Sequence, residues 1–165
     1  MTRRTVGRIV GFTLFAVAGA GCAKGMLVGT VTVPGGSESA LNMTWESGVF
    51  GESGTLAATM PDGEQFTGTY QVVREGMPRS AVPAAWTGDE PIQRQGDIDG
   101  TYWAAGADHM AFVRAYKDNG IGTLKGDRGS TMLCRFYLLD SSAGMGGGGT
   151  GTCQTSRGAK ITARF

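Results

Sequence analysis

Three cysteines and one histidine are the side chains of this 165-residue chain best suited to covalent or proton-transfer chemistry: Cys22, Cys134, Cys153 and His109. A hydrolytic triad needs a nucleophile, a base and an orienting acid. His109 stands beside Asp108, but no Gly-x-Ser-x-Gly elbow presents a serine to them, and a solvated surface histidine is the simpler reading. Asp97 and Asp99 are of the right type to flank a glycosidic bond, yet nothing in their spacing sets the carboxylate separation that such chemistry requires. Asp97-Ile98-Asp99-Gly100 opens like a calcium loop until the register demands glycine at 102, which is Tyr102, so a plain turn is the better assignment. The glycines of 144–149 lack both the following helix and the lysine of a phosphate-binding loop. One histidine and two cysteines that can bridge each other do not complete a tetrahedral zinc site without carboxylates. The chain therefore reads as a non-enzyme with no metal and no cofactor.

The cysteines divide into one plus two. Cys22 closes a segment in which Arg3, Arg4 and Arg8 carry positive charge without any acid, Ile9 to Ala18 form an apolar run, and Gly19-Ala20-Gly21 are small. The apolar run falls within the length of a signal-peptide core and is too short to span a bilayer, which takes about 20 residues. With Gly21 and Cys22 as its strictest matches, this segment resembles the signal of bacterial envelope lipoproteins, departing only at Gly19, where leucine is more usual. The resemblance covers residues 1–22. It implies removal of 1–21, lipid modification of Cys22, a short tether over 22–26 and a partner in the bilayer itself. Thr2-Arg3-Arg4-Thr5-Val6 also resembles a twin-arginine signal, so the export route stays open between the two. Ala23 stands where aspartate favours inner-membrane retention in diderm lipoproteins, which by the same resemblance points to the outer membrane. Cys134 and Cys153, the even remainder in an exported chain, are expected to form a disulfide.

Loss of the leader removes twenty-one of 165 residues and leaves 144, residues 22–165, a normal size for one domain, with the β-domain itself expected over 27–165. The leader holds three of the fifteen Lys and Arg and none of the fourteen Asp and Glu, so the remainder has twelve basic and fourteen acidic side chains, a net of −2. The basic residues are scattered from Lys24 to Arg164 with no stripe, which excludes nucleic acid as a partner.

What positions these residues is a repeated hairpin phrase. Gly54-Thr55-Leu56 leads through Asp62-Gly63 to Tyr70, Gly122-Thr123-Leu124 through Arg128-Gly129 to Phe136, and Gly151-Thr152-Cys153 through Arg157-Gly158 to Phe165. In each, the second glycine precedes the final aromatic by seven residues. Strand alternation then places Phe66, Gly68 and Tyr70 on one face, as it does Met132, Cys134 and Phe136, and Ile161, Ala163 and Phe165. The opposite face is polar in the first and third copies. In the second it carries Leu133, Arg135 and Tyr137, which predicts a strand covered on both sides or lying at an interface. Duplication and convergent turn grammar both account for the repetition.

Further strands are expected over Leu27 to Val33 ahead of a Pro34-Gly35-Gly36 turn, Ala40 to Trp45, and Met110 to Tyr116 ahead of an Asn119-Gly120 turn. With twenty-nine glycines and no sustained helical period, the chain is expected to be all-β: an antiparallel small barrel or sandwich of about eight or nine strands. Loop 74–106 contains Pro78, Pro83, Pro91 and the aromatics Trp86, Tyr102 and Trp103. It reads as a lid over a barrel end, with those aromatics as the candidate ligand or partner contacts. Loop 141–151 reads as a mobile glycine-rich connection. Three functions follow in order: a non-catalytic binding or accessory module of the cell envelope, with an envelope protein or small ligand as partner; an inhibitor or small-ligand carrier; and last the Asp108 and His109 hydrolase. Small disulfide-bonded barrels on lipid anchors resemble the periplasmic inhibitors of lysozyme in architecture, and the second reading rests on that fold analogy alone.

Overall fold

The structure is a computed structural model that describes residues 22–48, 51–87 and 109–165. Eight antiparallel strands close into a barrel in simple sequence order. They are β1 (Lys24–Thr32), β2 (Glu38–Ser47), β3 (Ser53–Thr59), β4 (Gln65–Val72), β5 (Asn119–Gly126), β6 (Thr131–Leu138), β7 (Gly149–Thr155) and β8 (Lys160–Arg164). β8 returns to β1 from Val28↔Arg164 to Thr32↔Lys160, so no sheet edge is left unpaired among the strands. The expected all-β architecture is thus a barrel and not a sandwich.

The repeated phrase forms three of the four hairpins, β3–β4, β5–β6 and β7–β8. Gly63, Gly129 and Gly158 sit at φ 83°, 85° and 84°, the left-handed region that glycine occupies without a Cβ penalty. In each turn this glycine donates its N–H to the carbonyl three residues earlier, of Met60, Gly126 and Thr155. The first hairpin turns out to be a fourth copy. Gly36 donates to Val33 O at 3.0 Å and Val33 to Ser37 O at 3.1 Å, the same pair of bonds. Gly29-Thr30-Val31 precedes Gly36 at the spacing of the second and third copies, and Met43 stands where they carry the aromatic.

Alternation sends Leu27, Val31, Leu41, Met43, Leu56, Phe66, Tyr70, Leu124, Met132, Phe136 and Ile161 into the lumen, where all are buried. The outer wall is largely Thr, Gln, Asn and charged residues. That polarity is the reverse of membrane-spanning barrels, whose apolar band faces out. Cys134 and Cys153 face each other across β6 and β7 with Cα atoms 4.0 Å apart and form the expected disulfide inside the barrel.

Two expectations are corrected. Met110 to Tyr116 is not a strand: it lies in a two-turn helix, His109–Tyr116. Phe112, Val113 and Tyr116 are spaced to bury one helical stripe while Met110, Arg114 and Ala115 face out, and Asn119-Gly120 opens β5 rather than forming a turn. The described part of loop 74–106 is not a lid over a barrel end. Residues 73–87 and the helix lie against the outer wall, where Val73, Val82, Trp86, Phe112, Val113 and Tyr116 pack over Ile121 with Leu133 alongside. This second core packs against Leu133 on the outer face of β6, while Tyr137 farther along that face stays exposed.

Reducing the Cys134–Cys153 bridge, which closes a separation of 19 residues, is expected to lower unfolding free energy by about 3 kcal/mol. Urea titrations with and without a reductant would measure it, and coincident midpoints would contradict it.

Candidate functional site at the termini end of the barrel

The two ends of the barrel differ. At one, four tight turns join the strands. At the other lie the start of β1, the end of β8 and every long connection, including Cys22. Cys22 is exposed and is the free cysteine among the described residues. Its neighbour Ala23 is already held: Ser47 N donates to Ala23 O at 2.8 Å, Ala23 N donates to Ser47 Oγ at 3.2 Å and Ser47 Oγ donates back to Ala23 O at 3.2 Å. Lys24 pairs with Glu46 in the sheet. The expected tether of 22–26 therefore shrinks to Cys22 and Ala23, because Lys24 to Met26 belong to β1.

The same end is closed by the glycine-rich connection, which is not the expected mobile loop. Residues Ser141–Gly147 form consecutive 3-10 turns that carry Met145 into the core, where it is 1% exposed. Asp140 caps them, accepting from Ser142 N at 2.9 Å and Ser142 Oγ at 2.6 Å, and these bonds hold its carboxyl below the usual aspartate range. Gly144 must be glycine, since a Cβ there would lie 2.0 Å from Gly51 O. Arg74 clasps the segment from outside. It donates to Ser141 O at 2.6 Å and Ser141 Oγ at 3.1 Å and pairs with Asp118 at 3.3 Å and Glu52 at 3.4 Å.

Beneath this plug the lumen holds two polar aromatics. Trp45 Nε1 and the Tyr70 hydroxyl are buried without a hydrogen-bond partner among the described residues. Burial pushes the Tyr70 phenol up to about 12, opposed by the nearby Ser47 hydroxyl. Elsewhere at this end Glu75 and Lys117 are joined at 2.6 Å on the surface, which lowers the carboxyl and raises the ammonium.

The remaining sequence candidates are dispersed. Trp86 is buried in the outer core, its Nε1 donating to Thr123 Oγ1 at 3.1 Å, with its ring edge-on to Tyr116 and Phe112. It is thus a packing residue and not an open contact surface. Tyr102 and Trp103 lie outside the described residues, as do Asp97, Asp99 and Asp108. His109 begins the helix with Nε2 2.7 Å from Met77 O; a carbonyl only accepts, so this nitrogen donates. Among the described residues no three His, Cys, Asp or Glu side chains cluster at metal-binding distance.

No family model, curated protein or solved structure matches this chain. The geometry stands alone. A closed barrel of this kind is compatible with a binding or carrier module, and its lumen is filled by side chains from Phe66 to Met145, which leaves the outer surface and the ends for recognition. The plug, the Arg74 clasp and the Ser47 staple carry no clear signature in the sequence. A lone methionine among glycines behind an Asp-Ser-Ser cap is the one signal of an anchored segment.

Tyr70→Phe removes a buried hydroxyl that has the nearby Ser47 hydroxyl, and no hydrogen bond of good geometry among the described residues, to offset its desolvation, so stability at neutral pH is expected to hold or rise. In the parent, an unfolded chain ionises its tyrosine near pH 10 and the folded one near 12, so stability falls between those values as pH rises. Urea midpoints compared at pH 8 and pH 11 should show a smaller loss for the variant; an equal loss would assign the effect elsewhere. Met145→Ala is expected to cost about 2–5 kcal/mol, and Arg74→Ala to speed amide exchange over 141–148 while the strands stay protected, both readable by hydrogen-exchange mass spectrometry and denaturation.

Proposed function

We propose that this protein is an extracytoplasmic lipoprotein: a non-catalytic barrel held against a membrane by acylated Cys22 and serving as a binding or accessory module of the cell envelope. The observation that carries the reading is the division of the cysteines. Two are locked together inside the barrel, while Cys22 is left exposed at the first residue ahead of the fixed backbone. A thiol so placed is accessible to an acyl-transfer enzyme and is clear of the fold it would anchor. The preceding basic and apolar leader supplies the export signal that such processing requires.

Stable attachment takes more than one acyl chain, which lipoprotein maturation supplies at a single cysteine. The bilayer is then the first partner. A second partner would meet the barrel through preformed surface, since the lumen is occupied by its own side chains. The small-ligand carrier is the second reading, favoured by Trp45 Nε1, left without a hydrogen-bond partner among the described residues beneath the plug.

Intact-mass analysis of the protein from native membranes is expected to show a chain beginning at Cys22 with a diacylglyceryl group. Cys22→Ser should release it to the soluble fraction with the disulfide and circular dichroism unchanged. An unmodified Cys22, or a membrane fraction unaffected by the substitution, would overturn the proposal.

A further inference from the structure

Five large apolar side chains are exposed among the described residues, Met26, Val28, Met110, Tyr137 and Leu139. Four of them, all but Met110, lie on one part of the wall. Sheet register shows how they are grouped. On the outer face Val28 stands opposite Arg164, Arg164 opposite Thr150, and Thr150 opposite Tyr137. With strands about 4.8 Å apart, Val28 and Tyr137 are separated by three steps, about 14 Å. Met26 lies one outward position nearer the termini end than Val28, and Leu139 one nearer than Tyr137. Leu139 is 85% exposed, although its backbone N–H is fixed to Gly148 O at 3.0 Å, so the structure holds it outward.

This amphipathic rim begins on β1, the strand that follows Cys22, and runs from it over β8 and β7 to β6. The chain outside the described residues ends there, one residue from Ala23, which Ser47 pins. A surface so tightly coupled to an acylated cysteine cannot stand far from the bilayer. The charges fit that neighbour. Arg164 is exposed at the centre of the apolar group, and Lys24, paired with Glu46 at 3.0 Å, flanks it. Tyrosine, basic side chains and a few protruding aliphatics are the composition that seats protein at headgroup depth.

We infer that the β6–β7–β8–β1 rim at the termini end, with Leu139 and Met26 foremost, is a membrane-docking surface that orients the barrel on its lipid anchor, the four tight turns pointing away from the bilayer. This rests on the proposed lipidation of Cys22 and adds to it a defined face. A tether alone would leave the barrel free to tumble; the rim fixes one orientation.

The test places a photoreactive p-benzoylphenylalanine at Leu139 or Val28, and as a control at Asp127 in the far turn, in the full chain expressed and processed in its membrane. After irradiation, phospholipid adducts are counted by mass spectrometry. The rim positions are expected to give roughly ten-fold more adduct than position 127, the ratio that about 1.4 kcal/mol of orientational preference produces. Comparable yields at both ends would overturn the docking surface even where the mass shows a lipidated Cys22. Should Cys22 prove unmodified, the proposed function fails separately. The mature chain, coupled through the Cys22 thiol to maleimide-phosphatidylethanolamine in vesicles containing phosphatidylglycerol, then gives the same comparison: a ten-fold excess at the rim supports the docking surface, and equal yields overturn it. Circular dichroism and an intact disulfide in each labelled variant confirm that the barrel is unchanged.

Discussion

An eight-stranded barrel encloses a lumen just wide enough to be filled by side chains or to hold one small ligand; here side chains take it, and the rest of this structure follows from how that lumen is filled. Large and absent side chains alternate around it. Phe136 reaches across the space left by Gly122 and Gly151, where an added Cβ would come within 3.2 Å and 2.7 Å of its ring. Trp45 does the same over Gly25, and Tyr70 over Gly54. The Gly-Thr opening of the hairpin phrase is thus a packing device: its glycine faces inward to receive a ring, and its threonine faces out. The disulfide is part of the same fill, since both cysteines are buried in the lumen. What the strands leave unfilled at the termini end is taken up by Met145.

Much of this is legible in the sequence because alternation and turn glycines are local signals. A hairpin needs only its own residues to declare itself, and three do. The fourth is legible as two strands about the Pro34-Gly35-Gly36 turn, but its kinship with the others is hidden by two substitutions that preserve the physics: Met43 replaces the aromatic as another large apolar filler, and Pro34-Gly35-Gly36 replaces the Asp-Gly or Arg-Gly turn. The segment Met110 to Tyr116 reads wrongly as a strand because Phe, Val and Tyr suit a strand as well as a helix. Its helical stripe has meaning only against the outer wall of β5 and β6, a non-local partner. The glycine-rich segment misleads for the opposite reason. Its composition signals freedom, while its order comes from Arg74, sixty-seven positions from Ser141, and from a close pass beneath Gly51. The candidate site divides the same way: the Cys134–Cys153 pair is readable from count and context, whereas Trp86, conspicuous for its size, is needed for packing.

The two ends are secured by different means. At the turn end Glu64 is only 3% exposed, and its carboxylate accepts from Ser130 Oγ at 3.1 Å and lies 3.6 Å from Arg157 Nη1. These residues come from three different hairpins, so one buried charge ties three turns together. Arg128 extends the network by donating to Asp62 O at 3.1 Å. A buried carboxylate is tolerable only when it is paired and bonded in this way, and that requirement holds the turns in mutual register. At the termini end Arg74 has the corresponding place, joining the loop before β3, the residue before β5 and the plug.

A barrel pinned at both ends and filled through its length moves as one body. Its first strand therefore transmits position directly: Ala23 is hydrogen-bonded on both sides of its peptide unit, and Lys24 is already paired. Whatever holds Cys22 holds the start of β1 close by, and the proposed rim from β1 to β6 would turn that nearness into one orientation at the membrane surface. The helix and the segment over β5 and β6 cover an adjacent sector of the wall. The turns and the polar faces of β2 to β4 lie on other sectors of the described wall, preformed surface on which a partner of the proposed module would be met by shape and charge already in place rather than by rearrangement.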